Sequence, residues 1–305
     1  MNVLLISEHY FPKVGGTVSY VEHTATNLAK KGLNVYLLVP ALGKLKELKV
    51  ANHTLPNLTL LQLGVNEKEL LFNASERNIL CNWMINNLLK ISQQYHIEVV
   101  HLLFGLFLAE KINTQTLKEN GIKTINTIHN VPPQECSKSW KEDEFLRYYT
   151  DIVRKIGVKW VNKKRIKKNA FDNYVVPSKM VKQELRKYIP SSKIKVIGHG
   201  GAEHIPTPNK PKRNNPTIQL LTVGGMVPHK NQHLIPIIAA HLKKENINFI
   251  WNIVGPTRNQ RYVDAIKSTL VSLNLTTTVY LHNHATTNDL SIFYKNADMY
   301  IQLSN

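Results

Sequence analysis

Lys230 has the clearest chemical meaning of any residue in the chain. It lies in Val223-Gly224-Gly225-Met226-Val227-Pro228-His229-Lys230-Asn231, between the apolar run Ile218–Val223 and helical spacing over Asn231–Lys244. A glycine turn leaving a strand, followed by lysine at a helix start, sets an ammonium beside backbone N–H groups that have no partner within the helix. Such a cradle suits a diphosphate. A lysine merely exposed at a helix start would sit against the dipole, which disfavours cations there. Walker A chemistry requires glycine before the lysine and Ser or Thr after it, so His229 and Asn231 disfavour a P-loop NTPase.

A second anion cradle is suggested by Phe11-Pro12-Lys13-Val14-Gly15-Gly16-Thr17, between an apolar run and helical spacing. Gly15 and Gly16 let backbone N–H groups approach an anion at a helix N-terminus, although a plain glycine turn reads the same. Two such cradles in facing domains would hold a nucleoside diphosphate from both sides. His129 ends the segment Thr124-Ile-Asn-Thr-Ile128-His129, and a histidine at the C-terminal end of a strand in an α/β domain points toward a ligand or serves the structure. His282-Asn283-His284 has the residue types of a metal site but no third ligand, and reads as a solvated loop. G-x-S-x-G, H-E-x-x-H and a carboxylate pair marked by context are all absent, which excludes the common hydrolase machineries.

The remaining chemistry is charge. The chain carries 39 Lys+Arg against 21 Asp+Glu, a formal net charge of +18. That excess calls for an anionic partner: nucleic acid, an acidic membrane surface or a phosphorylated substrate. It concentrates in Arg154–Lys168, which holds Lys155, Lys159, Trp160, Lys163 and Lys164 and no acidic residue. A basic amphipathic helix there would lay Trp160 at a membrane interface and its lysines on headgroups or on an acceptor. A solvated helix face is the plainer reading. Nucleic acid ranks third, since no nucleic-acid fold pattern accompanies the charge.

The elements that must position these residues alternate along the chain. Strands are expected at Val3–Ser7, Asn34–Pro40, Leu58–Leu63, Glu98–His101, Lys123–Ile128, Tyr174–Pro177 and Lys195–Gly198. Helices are expected at Thr17–Lys31, Ser75–Gln94 and Ser178–Tyr188. The stretch 204–216 carries four prolines and almost no apolar side chain, a linker composition. Alternation then restarts with strands at Ile218–Val223, Phe249–Val254, Thr278–Leu281 and Met299–Leu303, and helices at Asn231–Lys244, Tyr262–Leu273 and Asn288–Asn296. This predicts an α/β protein of two doubly wound Rossmann-like domains, 1–203 and 217–305, joined by 204–216 and facing a ligand cleft. The second domain is expected to be incomplete, with no terminal helix after its last strand. No run is long and apolar enough to span a membrane, and the N-terminus lacks a basic leader. Cys81 and Cys136 are far apart, which speaks against a structural disulfide or a cysteine zinc site.

Taken in order, these segments resemble the retaining GT-B glycosyltransferases of family 4. The resemblance is carried by Phe11-Pro12, Gly15-Gly16 and Tyr20-Val21; Glu98–His101; Thr127-Ile128-His129; Ala170-Phe171-Asp172 and Val176-Pro177-Ser178; and Lys195–Gly200. It continues through Val223-Gly224, Lys230-Asn231, Ile253-Val254-Gly255 and Ala297-Asp298 to Leu303-Ser304. It implies transfer of a sugar from a UDP- or GDP-sugar to a glycan or lipid-linked acceptor hydroxyl, without metal or other cofactor. It further implies that Gly15, Gly16, Gly224, Gly225 and Lys230 lie at the donor diphosphate. His129 would hydrogen-bond the donor sugar or phosphate, and Lys230 would stabilise the leaving group. The family usually has arginine five residues before that lysine, where this chain has Gly225; His229 or Arg258 would have to substitute. The glutamates of the family's Glu-x7-Glu segment would follow Ser304 and are not in this sequence. The reading is therefore a glycosyltransferase of cell-surface polysaccharide or glycolipid synthesis, cytoplasmic or peripheral at the inner membrane face. The alternative is a truncated, non-catalytic remnant with at most weak nucleotide binding.

Overall fold

The computed structural model describes residues 1–11, 15–65, 74–104, 106–129, 166, 170–200, 217–257, 259–283 and 285–304. They form two compact units, the first holding the described residues up to 200 and the second those from 217 onward. The proline-rich stretch 204–216 and the basic run with Lys155, Lys159, Trp160, Lys163 and Lys164 lie outside the described residues, as do Cys136, Arg258 and His284.

The first unit is built on an eight-stranded sheet. Its strands are β1 (Asn2–Ser7), β2 (Asn34–Leu42), β3 (Leu48–Asn52), β4 (Leu58–Val65), β5 (Val99–Phe104), β6 (Lys123–Thr127), β7 (Asn173–Val176) and β8 (Ile194–Val196). They lie in the order β3-β4-β2-β1-β5-β6-β7-β8. All neighbours are parallel except β3 and β4. From β1 the chain winds outward through β2 to β4, then returns to place β5 on the other side of β1. The C-terminal ends of β1 and β5 therefore flank the point where winding reverses, where open α/β sheets bind ligands.

β1 shows why its apolar run has no polar face. Leu4 and Ile6 enter one core with Leu38, Leu61 and Val100. Val3 and Leu5 enter another, with Leu37 and Val39. Successive side chains of a strand point to opposite faces, and here helices cover both. The helix α1 (Gly16–Lys30) closes one face with Val18, Val21, Ala25 and Ala29. The other is closed by α2 (Ala74–Gln94) through Met84, Leu88 and Ile91. The short helices α3 (Leu106–Lys111) and α4 (Thr114–Glu119) bridge β5 to β6, and α5 (Lys179–Leu185) joins β7 to β8. Cys81 is buried, its thiol donating to Glu8 Oε1 at 3.8 Å.

The second unit holds β9 (Ile218–Val223), β10 (Phe249–Val254), β11 (Val279–His282) and β12 (Met299–Tyr300). They are all parallel, in the order β11-β10-β9-β12. The helices α6 (Ile235–Lys244), α7 (Gln260–Ser272) and α8 (Thr287–Asn296) alternate with them. Its core centres on Trp251 and Tyr262, both fully buried, with Ile235, Ile253, Val263 and Ile266. Trp251 Nε1 donates to Thr222 Oγ1 at 3.0 Å, and Thr222 Oγ1 donates to Ile301 O at 2.8 Å. The indole is thus satisfied inside apolar packing, as a buried polar group must be.

Two expectations need correction. The segment 48–52 forms a strand that periodicity did not reveal, because it lies at a sheet edge, largely exposed, and buries no continuous apolar face. The expected helix Asn231–Lys244 begins four residues later, at Ile235. Two 3₁₀ turns, Pro228–Lys230 and Gln232–Leu234, precede it, separated by Asn231 at φ 55°. A left-handed residue cannot continue a right-handed helix, so Lys230 stands in its own turn before α6.

Candidate functional site

In the first unit the candidate residues gather at the C-terminal ends of β1, β5 and β6. Gly15 caps α1 at φ 150°, and its carbonyl accepts from Val18 N at 3.0 Å and Ser19 N at 3.2 Å. Gly16 opens the helix, and a Cβ there would meet nothing within 4 Å. Packing therefore does not demand glycine at 16, and the exposed helix start has room beside it.

His129 stands two residues past the end of β6. Its Nε2 lies 2.8 Å from Leu103 O, and its Nδ1 lies 3.2 Å from His199 Nε2. A carbonyl only accepts, so Nε2 of His129 carries a proton; in the neutral ring Nδ1 is then the acceptor, and His199 Nε2–H donates to it. Tyr20 of α1 sets its ring edge-on to both imidazoles, at centroid distances of 4.8 and 4.6 Å. Phe104 packs on the His129 ring at 5.5 Å.

One strand over, His101 Nε2 is 2.8 Å from Thr127 Oγ1. Desolvation, reinforced by the nearby His129, pulls His101 down to about 4. Burial also lowers His129, partly opposed by the Leu103 carbonyl, with His199 adding to the lowering. Both rings are thus held neutral near pH 7.

Sequence reasoning singled out His129 alone in this cluster. His199, His101 and Tyr20 entered only within resembling segments. The signal that picked His129, a histidine just past a strand's C-terminal end, applies equally to His199, three residues after β8.

In the second unit the turn after β9 is anchored at every step. Gly224 N donates to Val254 O at 2.8 Å, Met226 N to Pro256 O at 3.0 Å, and Met226 forms a parallel bridge with Thr257. The turn thus runs on beside the exit of β10. A Cβ at Gly255 would fall 2.1 Å from Gly224 O, so glycine there is what permits the approach. Gln232 Nε2 donates to Gly225 O at 3.0 Å, and Asn231 Nδ2 to Leu303 O at 2.9 Å. The Tyr262 hydroxyl accepts from His233 N at 3.0 Å. Lys230, partly exposed, is therefore carried on backbone fixed from both sides, its own N–H donating to Val227 O at 3.0 Å.

His229 is exposed, and its pKa is lowered by partial burial and then by the Lys230 ammonium. It is a poor second cation near neutral pH. His282 Nε2 pairs with Asn252 Oδ1 at 2.9 Å, and among the described residues no group of three His, Cys, Asp or Glu could hold a metal ion. No described helix is long and apolar enough to cross a membrane.

Comparison with known families decides what this framework is. The model described as Glycosyltransferase Family 4 matches residues 14–200, and that described as Glycosyl transferases group 1 matches residues 205–305. The chain belongs to glycosyltransferase family 4. No curated protein matched it.

Solved structures share the fold of this family 4 glycosyltransferase at low identity. A glycosyltransferase from Rickettsia africae is 18% identical at a TM-score of 0.63, covering 99% of this chain and 73% of its own. The catalytic domain of starch synthase IV from Arabidopsis thaliana, bound to ADP and acarbose, is 14% identical at 0.64, covering 99% and 78%. HepE of Anabaena, in complex with UDP and glucose, is 12% identical at 0.63, covering 100% and 74%. The α/β architecture with parallel sheets in both units is that of GT-B glycosyltransferases.

Proposed function

We propose that this chain takes its sugar from a nucleotide-sugar, UDP- or GDP-linked, and transfers it with retention to a glycan or lipid-linked acceptor hydroxyl. The observation that carries the reading is the Lys230 turn. An ammonium is held on backbone that Gly225, Asn231, Gln232 and the close Gly224–Gly255 approach immobilise. In glycosyl transfer negative charge grows on the departing diphosphate, and a cation already in place stabilises it without reorganisation. Such a cation replaces what a metal would otherwise do, so no metal is assigned to the site. Neighbours bound to ADP or UDP support the donor class.

In the first unit, Gly15 and Gly16 would leave the α1 N-terminus open to the donor diphosphate, and His129, its pKa lowered by burial, would hydrogen-bond the donor sugar or phosphate. The basic run with Lys155, Lys159, Trp160, Lys163 and Lys164 would dock the enzyme on anionic lipid or a lipid-phosphate acceptor at the inner face of the cytoplasmic membrane. Cell-surface polysaccharide or glycolipid synthesis is the setting that unites these features.

Calorimetric titration with UDP-glucose, ADP-glucose and GDP-mannose tests the donor assignment. One of them is expected to bind in the presence of EDTA, and Lys230→Ala should weaken that binding at least about tenfold. Where turnover is measured, losing one such charge-stabilising group should lower kcat by about 100- to 1000-fold. Equal binding by wild type and Lys230→Ala, or binding only with added metal, would overturn the assignment.

A further inference from the structure

The turn between β2 and β3 is exposed, yet it is firmly held. Gly43 N donates to Val65 O at 3.1 Å, Lys46 N to Gly64 O at 2.9 Å and Gly64 N to Glu47 O at 2.7 Å. Glu47 N closes the turn on Lys44 O at 3.1 Å. A Cβ at Gly64 would fall 1.9 Å from Lys44 O, so glycine in β4 is what lets the turn fold across the strand end. Lys46 stands at φ 61°, a left-handed backbone that lysine keeps only where its surroundings enforce it.

This turn displays apolar and cationic side chains together. Leu42 is 55% exposed, Leu45 47% and Val50 57%. Leu48 already fills the inward position of β3, packing on the core. Alternation from Leu38 and pairing with Leu61 set Leu42 and Val50 on that same face of the sheet, but neither is covered. Lys44, Lys46 and Lys49 are exposed beside them, and Glu47 is the one acidic residue of 42–50.

We infer that this turn and the edge strand after it form a docking surface for an anionic lipid bilayer. Leu42, Leu45 and Val50 enter between the headgroups, and the three lysines lay their ammonium groups on lipid phosphates. Charge complementarity decides the partner, because lysine stems lie along apolar surface while their heads reach anionic headgroups. A second copy of the chain on a two-fold axis would press these lysines against themselves. An edge strand carrying Lys49 also resists pairing with another edge. The turn follows the C-terminal end of β2, so it lies at the end of the sheet where the candidate residues of the first unit gather. Docking there turns that end toward the bilayer. The surface is distinct in sequence from the basic run Arg154–Lys168.

Sedimentation of the full chain with vesicles of phosphatidylcholine and phosphatidylglycerol in equal parts tests this. Each lysine on an anionic surface is worth about fivefold in binding, so Lys44→Gln with Lys49→Gln should weaken it about 25-fold. Lys31→Gln with Lys118→Gln removes the same charge from exposed positions at the other end of the sheet, and should cost far less. Leu45→Ser, at a half-exposed leucine, should weaken binding about fivefold. All these positions are exposed, and circular dichroism verifies that each variant folds. An environment-sensitive dye on Leu45→Cys, with Cys136→Ser and with Cys81 buried out of reach, should brighten when vesicles are added. The same dye on Glu119→Cys, at the end of α4, should not.

Equal losses in the two lysine pairs overturn the proposal, and so does equal brightening at positions 45 and 119. Binding as tight to vesicles of phosphatidylcholine alone overturns the anionic partner. A dimer that forms without lipid and dissociates in Leu45→Ser assigns the surface to a second copy instead. No nucleotide-sugar enters these measurements, so failure of the Lys230→Ala titration leaves the docking surface to stand or fall on its own.

Discussion

Replacing His101 by glutamine removes a titrating ring while leaving an amide able to reach the Thr127 hydroxyl. In the folded chain desolvation and His129 bring His101 from 6.5 down to about 4. In the unfolded chain it returns to the ordinary value. A lowered histidine pKa means that the unfolded state binds the extra proton, so its contribution to stability is intact above the unfolded value and drains as pH falls toward the folded one. Each unit of difference is worth about 1.4 kcal/mol. By about pH 5 the unfolded ring is almost fully protonated and the folded ring almost fully neutral, a penalty of about 2 kcal/mol.

The assay is urea unfolding of wild type and His101→Gln near pH 7.5 and near pH 5, followed by hydrogen exchange in peptides from β1 and β5. Exchange isolates the first unit, and other titrating groups, His129 included, are present in both proteins and largely cancel in the difference. With a urea dependence of about 2 kcal/mol per molar, the wild-type midpoint should fall about 1 M further than the variant's between the two pH values. Parallel losses in the two proteins, or a smaller acid loss in wild type, would refute the reasoning. His101 would then not be a neutral, desolvated ring in the folded state.

Other perturbations give equally direct outcomes. Gly255→Ala places a Cβ 2.1 Å from Gly224 O, so the turn that carries Lys230 must move; a loss of about 1–3 kcal/mol in the second unit's thermal unfolding is expected, together with weaker donor binding. Asn231→Ala forfeits the bond to Leu303 O and strains the left-handed backbone, whereas Asn231→Gly forfeits the same bond without the strain. Thermal melts should therefore rank wild type above glycine and glycine above alanine, with alanine down by about 2 kcal/mol. Sedimentation with vesicles rich in anionic lipid should show binding that declines steadily with salt, because the excess positive charge drives it. Binding that persists undiminished at high salt would point instead to an apolar insertion.

Much of the architecture is written in local pattern. The apolar run of β1, with no polar alternation, already implies a strand covered on both faces, and Val18, Val21, Ala25 and Ala29 at helical spacing name the helix that covers one of them. Glycine turns after β1 and β9 mark where the chain stops being a strand, because glycine adopts backbone that other residues resist. These signals span a few residues each, so single-chain reading recovers them, and on the same basis it picks out Lys230 and His129 by their position after a strand.

What the linear pattern does not contain are contacts between positions far apart in the chain. The pairing of His129 with His199 joins residues 70 apart, and nothing within either segment signals the other. The left-handed kink at Asn231 takes its support from Leu303, 72 residues on, which is why helical spacing alone placed the helix start too early. The strand Leu48–Asn52 exists because β4 offers it an antiparallel edge rather than because its own side chains demand burial. In each case the energy comes from a partner delivered by the fold. The sequence by itself determined which segments become strands and helices and which residue types reach the strand ends. The tertiary structure decided which of those residues touch, because contacts such as His129 with His199 join positions that no local pattern links.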